Sequence, residues 1–154
     1  MATYFTDSSA ATKRYLSETG SGWVKGLFTA NPSHRFFAVA VIGVEVVAAI
    51  SRRARGGTIS QADAAAFCTV FLADLRADFR VVPVTDALLH EAIRLAQRYS
   101  LRGYDAVQLA AANEVNRLRV TAGARPIIFV SADQELNAAA RSEGLSVDDP
   151  NAHL

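Results

Sequence analysis

The sequence predicts an α/β domain, with a mostly parallel central sheet and helices on both of its faces. Three observations predict it. Short β-branched or aromatic stretches alternate with longer segments of helical periodicity. Ile127-Ile128-Phe129-Val130 is a continuous apolar run of the kind that parallel strands buried on both faces display. The 154 residues fit one domain, expected to span 1–154 with a polar tail from about 148, and no Pro/Gly/Ser-rich linker divides them.

Each element has a local reason. Thr3-Tyr4-Phe5-Thr6 reads as a strand stopped by Asp7-Ser8-Ser9, and a helical pattern follows through Leu16. A short helical segment over Gly22–Phe28 closes at Ala30-Asn31-Pro32. Phe36–Val41 is a strand or the start of a buried helix, and periodicity leaves both open. Val44–Arg55 reads as a helix ended by Gly56-Gly57, and Ser60 opens another that runs to about Asp78. Val81–Val84 is a short strand, and its Pro83 marks a strand end or an edge. Thr85 caps a helix to about Tyr99. The next helix carries Tyr104, Val107, Ala111, Val115 and Leu118 as a core-facing stripe. Ser131 with Gln134 suggests a capping box for a helix ending at Gly144, and Leu145–Val147 adds a last short strand.

Composition narrows the function. Hydrophobic residues make up 51% and charged residues 20%, which excludes a disordered chain. The most apolar stretch, Phe36–Ile50, is interrupted by Glu45 and too short to span a bilayer, and the N-terminus lacks a signal-peptide pattern, so a cytoplasmic protein is expected. A net charge of +1 provides no global field for nucleic acid. Local cations are arginines, since only Lys13 and Lys25 are lysine, and the arginine fork suits phosphate oxygens. The single Cys68 sits in an apolar run as packing. His34, His90 and His153 have no metal-binding spacing, and there is no P-loop, dinucleotide fingerprint or nucleophile elbow.

Ligands of parallel sheets bind beyond the carboxyl ends of the strands. Asp7 and Asp133 follow two predicted strands, as helix caps or as site residues. Glu45 interrupts an apolar helix, where a lone carboxylate is costly unless it is solvated, pairs with Arg52 or Arg53, or binds a cation. Asp105 begins a helix, which the macrodipole favours in any protein. Clustered, the four carboxylates would repel unless cations intervened, and oxygen ligands alone favour magnesium or manganese.

The blocks around these residues resemble PIN-domain proteins, especially VapC-type toxins of bacterial toxin–antitoxin pairs. The resemblance runs through Tyr4–Ala10 with Lys13-Arg14-Tyr15, Val44-Glu45-Val46, Arg102–Ala110 and Phe129–Asp133. It implies a PIN-like three-layer α/β/α fold, with Asp7, Glu45, Asp105 and Asp133 as metal-binding catalytic carboxylates and Ser8 and Ser131 as polar support. It further implies a magnesium-dependent endoribonuclease, manganese being a possible substitute, restrained by a cognate VapB-type antitoxin and forming homodimers. Arg14, Arg52, Arg53, Arg55 and Arg102 are the candidates for holding RNA phosphates. Gln108 stands where many members have histidine, which bears on substrate preference. Three other readings compete: a PIN-fold RNA-processing nuclease without a toxin role, a non-catalytic RNA-binding or dimerisation module, and a phosphatase with Asp7 as nucleophile. The last would need an aspartate where Ser9 stands.

Overall fold

In the computed structural model, which describes residues 1–154, the first strand the chain makes becomes the centre of the sheet. The elements follow in order as β1 (Thr3–Thr6), α1 (Ser8–Thr12), α2 (Ser21–Ala30), β2 (Arg35–Val39), α3 (Ile42–Arg55), α4 (Gln61–Ala77), β3 (Phe79–Val82), α5 (Asp86–Tyr99), α6 (Gly103–Thr121), β4 (Ile128–Val130), α7 (Gln134–Ser142), β5 (Ser146–Asp148) and a 3-10 turn (Pro150–Ala152). The sheet order is β3-β2-β1-β4-β5, and all four pairings are parallel. The chain leaves β1 for β2 on one side and returns to its other side with β4, so a crevice opens at the carboxyl ends of β1 and β4.

Strand alternation divides the core in two. Phe5, Val39, Ile127 and Phe129 face α5, α6 and α7. Tyr4, Phe36, Ala38 and Val130 face the layer of α1, α3 and α4. All of β1 is buried, including Thr3 and Thr6, as a central strand covered on both faces must be. No helix is long and apolar enough to cross a membrane.

Several local expectations shift. The first helix ends at Thr12, and three tighter bonds, the amides of Lys13, Arg14 and Tyr15 donating to the carbonyls of Ala10, Ala11 and Thr12, carry the chain onward as turns. Phe36 lies in strand β2, paired with Tyr4, and not in a helix. The third strand lies two residues earlier than expected, and Pro83 follows it, consistent with an edge strand that ends there. Helix α7 is capped by Asp133, which accepts from the Leu136 amide, in place of Ser131. The predicted stripe on α6 holds at Val107, Ala111 and Val115, but Tyr104 and Leu118 are exposed. The helix, 19 residues and roughly 28 Å, is much longer than strands of at most 5 residues, roughly 17 Å, and the two exposed positions sit in its first and last turns.

The expected polar tail is structured. Asp148 closes β5, Pro150 is buried, and the 3-10 turn lies against Gly20, where α2 begins. Gly20 has φ +81, and a Cβ there would stand 2.2 Å from the Pro150 carbonyl oxygen. Gly20→Ala is therefore expected to lower stability by about 2 kcal/mol or more, combining left-handed strain with the clash, as a denaturant midpoint would show. An unchanged midpoint would mean that the turn is not seated there.

Candidate active site

Asp7 ends β1 and caps α1, its Oδ1 accepting from the Ala10 amide at 2.9 Å. Its two candidate roles, cap and site, coincide in one buried side chain. The Ser9 hydroxyl donates to Oδ1 at 2.8 Å and lies 3.0 Å from Oδ2, to which the Ser131 hydroxyl also donates at 2.9 Å. Ser9 in turn accepts from the Ala132 amide at 2.9 Å, tying the loop after β1 to the loop after β4. Burial, offset in part by these bonds and reinforced by the Glu45 charge, pushes the Asp7 carboxyl up to about 7.

Glu45 projects from the first turn of α3. No arginine pairs with it. Its Oε2 accepts from the Ser8 hydroxyl at 2.9 Å and its Oε1 from the Gln108 side-chain amide at 2.7 Å. Gln108 is fully buried in α6, three residues beyond Asp105 and so on the same helical face. Two donors from two different elements hold the Glu45 carboxylate in one orientation. Asp105 is half-buried in the first turn of α6, where the macrodipole favours a negative charge, and accepts no hydrogen bond. Burial and the charges of Asp133 and Glu45, opposed by Arg102, push it up to about 6.

These four carboxylates line a single open cleft of about 1010 Å³ at the carboxyl edge of β1 and β4. Ser8, Arg52 and Arg102 line it too, whereas Ser131 supports Asp7 from beneath. Neither Arg52 nor Arg102 is engaged in a salt bridge. The remaining arginine candidates lie elsewhere. Arg14 pairs with Asp74 and Asp78 and stacks over Phe28, Arg53 pairs with Glu18, and Arg55 is exposed at the end of α3 outside the cleft. Ser9, Lys13, Glu18, Tyr104 and Asn151 also line the cleft, and the sequence marks none of them as a site residue. For Ser9 a signal existed, since a serine two residues after an aspartate can bond back to it. Asn151 comes from the turn beyond β5, and nothing in its local sequence points to the cleft.

The donor set fits a hard divalent cation. The candidate ligands are carboxylates and no cysteine or histidine reaches the cleft, and a bound cation would offset the burial and like-charge repulsion that raise Asp7 and Asp105. The arrangement is an open one, because no three of these side chains close into a preformed ion cage.

Fold and cleft together define a parallel α/β domain with an acidic site at its topological switch point. A family model for the PIN domain matches residues 4–141, and the chain belongs to that family, whose members are nucleases. No curated protein matches the sequence. Among solved structures, the chain is similar to PAE2754 from Pyrobaculum aerophilum at 21% identity, with a TM-score of 0.62 over 98% of this chain and 91% of that one. It is also similar to VapC20 of Mycobacterium tuberculosis, a sarcin–ricin loop cleaving toxin, at 20% identity and TM-score 0.62 over 88% and 94% of the two chains. A toxin–antitoxin complex from Klebsiella pneumoniae matches at 15% identity and TM-score 0.62 over 97% and 98%. The fold is thus that of PIN toxins.

Proposed function

We propose that this protein is a magnesium-dependent endoribonuclease and the toxin of a VapBC-type pair. One observation carries the reading: four carboxylates from separate segments line one cleft, flanked by two arginines that form no salt bridge. Asp7, Glu45, Asp105 and Asp133 would hold magnesium or manganese. Such an ion supplies an activated water and a Lewis acid for a phosphodiester. The rest is done by the chain. Ser9 and Ser131 fix the Asp7 carboxylate, and Ser8 and Gln108 fix that of Glu45, before substrate arrives. Arg52 and Arg102 offer planar forks to the RNA phosphates on either side of the scissile bond.

The toxin assignment is supported by the fold shared with a toxin–antitoxin complex and with a toxin that cleaves the sarcin–ricin loop. A VapB-type antitoxin and a homodimer follow from it. Helix α4 offers a surface for a second copy, with Val70, Leu72 and the alanines around them exposed.

Purified protein is expected to cleave RNA with magnesium or manganese and to stop in excess EDTA, recovering when the metal is returned. Cleavage followed on gels checks it. Full activity in EDTA would overturn the metal role, and no cleavage of any RNA would overturn the nuclease reading.

A further inference from the structure

The cleft contains one large side chain that metal chemistry does not use. Tyr104 is 55% exposed, the only exposed residue among the chain's Phe, Tyr and Trp. The other tyrosines are held in place: Tyr4 stacks against Phe36, Tyr15 donates to Asp74 and Tyr99 donates to Glu143. Tyr104 makes no such bond and touches no other ring, yet it borders the same cleft as the carboxylates. Asp105 is the next residue, and Arg102 stands two before it. Val44, next to Glu45, is 63% exposed on the same cleft. An acidic floor is thus rimmed by a bare aromatic ring, an aliphatic side chain and two free guanidinium groups.

That combination matches a nucleotide group by group. The guanidinium takes a phosphate, the carboxylates with their ion take the reacting one, and the ring offers a π-face to a base. We propose that Tyr104 is a stacking platform for an unpaired nucleobase adjoining the scissile phosphate. This assignment rests on the ribonuclease reading and adds a specificity residue to it. A base inside a continuous duplex has both faces covered by its neighbours, so only an unstacked nucleotide can use the ring.

The test compares wild type with Tyr104→Ala, Tyr104→Phe and Tyr104→Trp. The substrates are single-stranded 12-mer oligoribonucleotides of randomised sequence and the same pool annealed to its complement, with magnesium. Binding is read separately with a 2-aminopurine-substituted oligoribonucleotide in calcium, whose fluorescence changes when the base stacks. Tyr104→Ala is expected to raise KM for the single strand about tenfold, with a much smaller change in kcat, and to lose the fluorescence change. Tyr104→Phe and Tyr104→Trp are expected to restore both readouts; the wild type is expected to cleave the duplex poorly, and Tyr104→Ala to leave that cleavage unchanged. Wild-type KM and fluorescence in Tyr104→Ala overturn the assignment, as does a fall in kcat at constant KM. A wild type that neither binds nor cleaves RNA overturns the ribonuclease reading itself. Cleavage by wild type with an indifferent Tyr104→Ala removes only the platform.

Discussion

Asp7→Asn is expected to lose RNA cleavage about a hundredfold or more while melting at a higher temperature than the parent at pH 8. The two effects have one origin. A buried carboxylate whose affinity for its proton is raised to about 7 is charged at pH 8 against the preference of its surroundings. Asparagine removes the charge and keeps the shape. Its oxygen still accepts from the Ala10 amide and caps α1, and its amino group can donate to the Ser131 hydroxyl, which is able to accept. Function and stability should therefore move in opposite directions, which a purely structural aspartate would not allow. Cleavage assays beside thermal melts in EDTA check it. A variant that keeps full cleavage removes Asp7 from the chemistry, and one that melts lower shows that the carboxylate was stabilising.

The second large effect is on the metal-free protein, whose stability is expected to fall as pH rises from about 5 to 8. Unfolded aspartates release their protons near 3.8, whereas folded Asp7 and Asp105 hold theirs to about 7 and about 6. Across that window the native chain binds more protons than the unfolded chain, so stability declines with pH and levels off above the folded values. Asp7 alone sets an upper bound of about 4 kcal/mol, and Asp105, half in solvent, adds less. Melting curves at several pH values in EDTA and in magnesium read this directly. Magnesium should flatten the slope by stabilising the charged form at high pH. A melting temperature that rises with pH in EDTA would contradict the account.

Much of the site is legible without coordinates. Asp7 and Asp133 can be placed because each follows an apolar strand, and Glu45 because a charge inside Val41–Ile50 demands a reason. What the sequence conceals depends on where helices end relative to the sheet. Tyr104 fits the periodicity of the α6 stripe perfectly well, but it lies exposed in the first turn of a long helix, and a periodic pattern says nothing about how far the neighbouring layer extends. The arginines are ambiguous for a different reason. Local sequence cannot tell which acid from a distant segment will claim them, as Asp74 and Asp78 claim Arg14 and Glu18 claims Arg53. Gln108 is hidden because its partner, Glu45, lies 63 residues away.

The sheet order also sets a schedule for the growing chain. Until residues 128–130 have emerged, β1 is an edge strand with one neighbour, and the Asp7 carboxylate lacks the Ser131 hydroxyl that shares it. The Ser9 contact to Ala132 spans 123 residues and closes a loop containing most of the protein. A partly synthesised chain therefore carries Asp7, Glu45 and Asp105 without the arrangement that joins them to Asp133. On the ribonuclease reading, the site is complete only once residues 128–133 have joined the sheet, so a fragment that stops short of them is expected not to cleave the RNA around it.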